Sequence, residues 1–310
     1  MQLSNKKSSE SQYKYAAALA SISTALILTT IKAFASFITG SLSILSSTAD
    51  SLADVLSSVI TFIAIIYSEK PLTCNHRYGY GRVEAVSALV QAAFISGSAC
   101  FILYDAAYRF FHPIKLNHTS AGVFVMVISL ILTAALICFQ KFVIRRIRSQ
   151  AIEADNSHYV IDLVANAAVL ISLVVIHKFG WVWFDIVTAM LVSFYLILTA
   201  FKIAEKALAE ITDKEVDSAI KANIIGEILK IDGIMGYHDL RSRISGSRLF
   251  FEIHLEFDGN CSLLTTHKIA EIAEQKIIKM YPNAQIIIHQ DPFGIEENRI
   301  DNNIEGSCNL

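Results

Sequence analysis

Two pairs of ionisable residues lie inside long apolar stretches of this sequence. Asp50 and Asp54 are four residues apart in SSTADSLADVLSSVITF, and His158 and Asp162 have the same spacing in EADNSHYVIDLVANAAV. If both stretches are helical, each pair lies one turn apart on one helix face. Three carboxylates and one imidazole are suitable ligands for a tetrahedral, zinc-like ion. The four residues therefore predict a site for a divalent metal ion.

The apolar surroundings of these pairs strengthen the prediction. An ionisable side chain within a membrane is costly, and by default it indicates a functional site. A bound divalent cation would offset the charge of the carboxylates. The alternative is that the pairs hydrogen-bond between helices, or form a proton relay without metal. Two pairs on matching polar stripes favour the metal site.

The composition indicates a membrane protein. Of the 310 residues, 54% are hydrophobic and only 17% are charged, whereas soluble domains have about 25% charged residues. A membrane-spanning helix needs about 20 mostly apolar residues. Six stretches meet this requirement, at 15–39, 42–67, 83–111, 121–143, 151–177 and 181–203. We therefore predict six transmembrane helices.

The basic residues of the short loops predict the orientation of these helices. Lysines and arginines collect in the N-terminal tail and in the second and fourth loops, with few in the other loops. Because basic loops stay on the cytoplasmic side, both termini should be cytoplasmic. The net charge of −2 gives no reason to expect a nucleic-acid partner, and the five cysteines show no CxxC pair that would indicate a disulfide framework or a zinc ribbon.

The last third of the chain has the composition of a small soluble domain. Helical patterns at 214–229 and 263–280 alternate with strand patterns at 236–244, 248–257 and 284–289. The order α-β-β-α-β predicts a two-layer, ferredoxin-like α+β domain. The expected organisation is a cytoplasmic tail over 1–14, a six-helix transmembrane domain over 15–205, a cytoplasmic metal-binding domain over 206–293, and a disordered tail over 294–310.

The chain resembles the cation diffusion facilitator family, in particular its bacterial zinc and ferrous-iron efflux branch. The two ligand pairs match, as do the runs FITGSLSILSSTADSLAD, QAAFISGSA, RRIRSQAIEAD, HDLRSR, FFEIHLEF and IIIHQDPF. The resemblance implies a homodimer in the bacterial inner membrane that exports metal in exchange for protons by alternating access. It implies Asp50, Asp54, His158 and Asp162 as the transport site, with Zn²⁺ as the main substrate and Cd²⁺ or Fe²⁺ as others.

The same resemblance implies a second, binuclear zinc site in the cytoplasmic domain, with structural and regulatory roles. Its ligands would be His238, His254, His267, His289 and Asp291, with Gln290 as a carbonyl ligand. Strand histidines are usually structural, but five such groups within about 55 residues favour a metal site.

Two smaller family features are matched less completely. The family has a metal site in the loop between the second and third helices, where this chain keeps only His76 and has Thr73 and Tyr80 at the other two positions. A solvated loop with a remaining histidine is the favoured interpretation. Arg82 and Asp213 match a family ion pair that would act as a dimer hinge.

Two other functions are compatible with these residues. A passive cation channel would need a continuous polar pore. Only the second and fifth stretches are polar on one side, and this concentrated site favours binding and alternating access over conduction. A metal sensor would bind the ion without transporting it. An intramembrane metalloenzyme is disfavoured, because the sequence contains no HExxH motif and no phosphate-binding loop.

Overall fold

A computed structural model describes residues 2–39, 42–111, 120–179 and 183–295 of the chain. Of the predicted tail over 294–310, residues 296–310 lie outside the described residues, as do some side chains within helices, that of Asp50 among them. The chain divides into two compact units, Met1–Leu208 and Ala209–Leu310. Each unit has its own buried core.

Among its described residues, the first unit contains six long helices at the positions predicted from the apolar stretches. They are α1 (Gln2–Thr39), α2 (Leu42–Ser68), α3 (Arg82–Phe111), α4 (Ser120–Ile144), α5 (Gln150–Phe179) and α6 (Trp183–Ile211). By length and composition, and within the described residues only, four segments are suited to cross a membrane: Ser11–Ala35, Arg82–Tyr108, Val127–Ile144 and Ile186–Ile211. The segments from α2 and α5 are absent from this set, and these two helices carry the predicted ligand pairs. The count of six spans therefore stays a prediction.

Helix α1 begins thirteen residues earlier than the apolar pattern predicts, at Gln2. Lys14, in the added part, is buried with its Nζ 2.6 Å from Glu84 Oε1 and 2.8 Å from Glu69 Oε1. Glu84 also accepts hydrogen bonds from Ser68 Oγ and Ser149 Oγ. This cluster joins α1, α2, α3 and the residue before α5, and it compensates the charge of a fully buried glutamate.

The second unit is an α+β layer structure. Its elements are α7 (Ser218–Ile228), β1 (Gly236–Ser245), β2 (Arg248–Phe257), α8 (Leu263–Met280) and β3 (Ala284–Pro292). The sheet order is β1-β2-β3, with β1 antiparallel and β3 parallel to β2. The observed order of elements is the predicted one. The core beneath the sheet includes Ile224, Phe251, Ile253, Leu255 and Ala273.

Helix α7 starts four residues later than predicted. Asp217 caps it, because its carboxylate accepts a hydrogen bond from the main-chain N–H of Ala219. Gly246 forms the β1–β2 turn at φ +59°, a conformation that favours glycine. These two local features fix where α7 begins and how β1 and β2 pair.

Candidate metal centres

The first candidate centre lies between α2 and α5. His158 Nε2 is 3.1 Å from Asp54 Oδ1 and 3.5 Å from Asp162 Oδ2. The His158 side chain is only 8% exposed, while Asp162 is 30% exposed. Ligand atoms of these three residues lie within 4.8 Å of one another, so a single cation would contact all three.

Asp50 lies on α2, four residues before Asp54. Its side chain lies outside the described part of the chain, so its place in the site stays a prediction from helical spacing. Of the four predicted residues, the structure thus brings Asp54, His158 and Asp162 together. His158 Nδ1 has no hydrogen-bond partner among the described residues.

A buried polar network supports the His158 side of α5. Asp155 is 1% exposed and accepts hydrogen bonds from Ser21 Oγ and Gln140 Nε2, each 2.7 Å long. Ser58 connects the network to Tyr159, with 2.8 Å between the two oxygens. The network ties α5 to α1, α2 and α4 within one turn of His158, and so it holds the histidine in place. Asp155 was not among the predicted site residues, because its partners Ser21 and Gln140 lie in other helices.

The second candidate centre is a row of histidines across the three strands. In the sheet register His238 pairs with His254, and His254 pairs with His289. The ring centroids are 4.9 Å apart for the first pair and 4.6 Å apart for the second. The row exists because the antiparallel and the parallel pairing place these three positions at the same level of the sheet.

Asp291 contacts all three histidines of this row. One carboxylate oxygen is 2.8 Å from His254 Nδ1 and 3.4 Å from His238 Nε2, and the other is 3.1 Å from His289 Nε2. The Asp291 side chain is 7% exposed and that of His289 is 63% exposed. Three imidazoles around a shared carboxylate are a donor set suited to zinc, and solvent reaches it from the His289 side.

Two acidic residues near this row were not predicted. Glu256 Oε1 is 3.0 Å from His238 Nδ1, the arrangement in which a second carboxylate orients a ligand histidine. Asp239 is buried and lies with His238 and His254 in a second possible ligand group. It has φ +50° where the β1–β2 register shifts, and local sequence does not indicate this irregularity. Gly236 leaves room for Glu256, because a Cβ there would meet its carboxylate.

The remaining two residues predicted for the cytoplasmic site are arranged differently. His267 is exposed on α8 and belongs to no group of three possible ligands among the described residues. The side-chain carbonyl of Gln290 accepts a hydrogen bond from Thr266 Oγ1, 2.7 Å away. The structure therefore places His238, His254, His289 and Asp291 together and leaves His267 outside the cluster.

The loop between α2 and α3 contains no acidic ligand beside His76. His76 Nδ1 is 3.0 Å from the Tyr80 hydroxyl, and the two rings stack. Thr73 Oγ1 lies 3.4 Å from the Tyr80 hydroxyl. The three residues at the family's ligand positions thus form a small exposed hydrogen-bonded turn.

The predicted hinge residue Asp213 lies at φ +58°, and its Oδ1 is 3.4 Å from Arg243 Nη1. Both residues belong to the second unit. The pairing of Asp213 with Arg82, which lies at the start of α3, stays a prediction.

Comparison with known proteins decides the family. The sequence profile of the cation efflux transmembrane domain matches residues 18–212, and that of the cation efflux protein's cytoplasmic domain matches residues 216–293. The chain belongs to the cation efflux family, also called the cation diffusion facilitators. The resemblance found from the sequence motifs is confirmed.

Similar proteins in this family include two pumps from bacteria. The cation-efflux pump FieF of Shewanella oneidensis is 39% identical over 289 residues, which cover 92% of this chain and 97% of the relative. FieF of Salmonella arizonae is 38% identical over 279 residues, 90% of this chain and 93% of the relative. A solved structure, the metal-bound C-terminal domain of the CzcD transporter from Thermotoga maritima, is 22% identical, covers 26% of this chain and 93% of its own, and has a TM-score of 0.25.

Proposed function

We propose that this protein exports divalent metal ions, with Zn²⁺ as the main substrate and Cd²⁺ and Fe²⁺ as others. Asp50, Asp54, His158 and Asp162 would bind the ion. The observation that carries the proposal is the cluster of Asp54, His158 and Asp162 ligand atoms between α2 and α5. Export agrees with the names of the FieF relatives, which are cation-efflux pumps.

The ligand chemistry supports exchange of the metal for protons. An imidazole must be unprotonated to bind a metal, and histidine is the side chain whose charge changes near neutral pH. Metal and proton would therefore compete for His158. Proton binding from the outer face would expel the ion there, and the site would alternate between inward-facing and outward-facing states.

The cytoplasmic domain would hold resident zinc, distinct from the transported ion. His238, His254, His289 and Asp291 would bind it, and Glu256 would orient His238. Bound zinc would stabilise the domain and join two copies of the chain into a homodimer. His267 and Gln290 would enter the site only if zinc binding rearranges α8 and β3.

We place the protein in a bacterial inner membrane as a multi-pass protein surrounded by lipid, with both termini in the cytoplasm. The support is the distribution of basic residues, which are frequent in the N-terminal tail and in the second and fourth loops. We propose transport and not enzymatic catalysis, because the sequence contains no HExxH motif and no phosphate-binding loop.

The test is a metal-panel flux assay on purified protein in proteoliposomes, with and without a pH gradient. An exchanger moves zinc faster when the opposite compartment is acidic. A passive channel conducts zinc at a rate that the pH gradient does not change beyond its electrical contribution. A sensor binds zinc and shows no flux, and that result would contradict the proposal.

A further inference from the structure

A lysine lies inside the first apolar helix, and the proposed transport site does not account for it. Lys32 belongs to the Ser11–Ala35 stretch of α1 and is only 9% exposed. Its Nζ donates a hydrogen bond of 2.7 Å to Ser51 Oγ, and Ser51 is fully buried. An ionisable side chain at such a place is costly and by default has a function.

Lys32 lies next to the part of α2 that carries the transport carboxylates. Ser51 directly follows Asp50, and it precedes Asp54 by three residues, which makes Ser51 and Asp54 neighbours on the helix surface. Thr29 Oγ1 donates a hydrogen bond of 3.0 Å to the main-chain carbonyl of Ser51. α1 is therefore held against α2 at the level of Ser51, one helical turn before Asp54.

We propose that Lys32 balances the charge of the transport site and thereby sets its affinity for divalent ions. This inference rests on the proposed function of that site. Among the proposed metal ligands, Asp50, Asp54 and Asp162 contribute three negative charges, and His158 is neutral when it binds metal. The buried carboxyl of Asp155 is hydrogen-bonded to Ser21 and Gln140 and is not one of the ligands. The ammonium of Lys32 reduces the total to two negative charges, which one divalent ion neutralises.

A neutral loaded site is the arrangement that costs least in a low-dielectric environment. Without the lysine, the loaded site would keep one negative charge and would hold the cation more tightly. A unit charge about 10 Å from a divalent ion, at an effective dielectric constant of about 20, changes the binding constant of that ion by more than about tenfold. Lys32 would thus weaken metal binding enough to allow release.

The experiment measures zinc flux against zinc concentration for the full-length protein in proteoliposomes. Lys32→Met removes the charge and keeps the length of the side chain, whereas Lys32→Arg keeps the charge. Lys141→Met, at an exposed lysine of α4, is the matched control. We expect K32M to lower the half-saturating zinc concentration about tenfold or more and to lower the maximal rate. K141M should keep wild-type values of both, and K32R, which keeps the charge, should shift the half-saturating concentration much less than K32M.

A purely structural lysine would give a different result. The proposal is overturned if K32M keeps the wild-type half-saturating concentration, or if K32M and K32R lose flux equally. If K32M yields no folded protein, Lys32→Gln keeps a donor for Ser51 and should show the same shift.

Asp54→Ala separates this inference from the proposed function. Wild-type flux in D54A would refute the transport site itself. Loss of flux in D54A together with unchanged kinetics in K32M would refute only the role of Lys32.

Discussion

Asp291→Asn tests whether the histidine row of the cytoplasmic domain is a zinc site. Asp291 contacts His238, His254 and His289 through its two carboxylate oxygens at 2.8 to 3.4 Å. Asparagine has a similar shape but lacks the charge and one of the two acceptor oxygens. The substitution should therefore remove most of the zinc affinity and leave the fold of the domain intact.

The expected size follows from the linkage between binding and folding. Zinc at 100 times its dissociation constant stabilises the folded domain by about 2.7 kcal/mol, which lowers the equilibrium population of the globally opened domain about 100-fold. If the substitution weakens binding about 100-fold, the same zinc concentration equals the new dissociation constant. The stabilisation then falls to about 0.4 kcal/mol, which is about a twofold change in the population of the opened domain.

Hydrogen exchange of the full-length protein, followed by mass spectrometry on peptides from β2 and β3, measures this quantity. The amides of these strands exchange through opening of the domain. Asp232→Asn, at an exposed aspartate before β1, is the control and should keep the full zinc-dependent protection. The reasoning is refuted if D291N keeps that protection, or if zinc protects neither strand in the wild-type protein.

Two further predictions concern the cytoplasmic domain. Phe251 lies in the core at 1% exposure, so Phe251→Ala should lower the free energy of unfolding by about 3–5 kcal/mol in a denaturant series. Ile287 is exposed on β3, and Ile287→Ala should change the free energy of unfolding little. Equal losses in the two variants would contradict the assigned core. The carboxyl pKa of Glu227 is lowered to about 2 by hydrogen bonds from Lys230 and Lys276. Its stabilising effect is therefore present above the unfolded-state pKa of 4.5 and is lost as pH falls towards 2. An NMR titration should show the low pKa and its rise in Lys276→Met, and an ordinary pKa in the wild type would contradict the ion pairs.

Much of the fold could be predicted because local patterns determine it. The bounds of β2 and α8 agree with the sequence prediction to the residue, since strand alternation and Pro282 mark them clearly. The start of α1 could not be predicted in the same way. The polar residues before 15 look like a tail, and what anchors them is the contact of Lys14 with two glutamates distant in sequence.

In the candidate sites too, some features follow from local sequence and others depend on contacts between distant elements. The spacing of His158 and Asp162 placed both on one face of α5, and the structure brings them to Asp54. The roles of Asp155, Lys32 and Glu256 were missed, because each depends on a partner in another element. A lysine within an apolar stretch was the one available signal, and it would have directed attention to Lys32. His267 was carried over from the family pattern, and its exposure on α8 is a property of tertiary structure.

The most direct test of the central claim is zinc flux through Asp54→Ala in proteoliposomes, beside wild type and Asp232→Ala at matched protein amounts. D54A removes a carboxylate 3.1 Å from His158 Nε2, so zinc flux should fall to the level of empty vesicles while D232A stays at the wild-type rate. Zinc flux at the wild-type rate in D54A would show that the ion crosses the membrane by another route, and would contradict the assignment of this site.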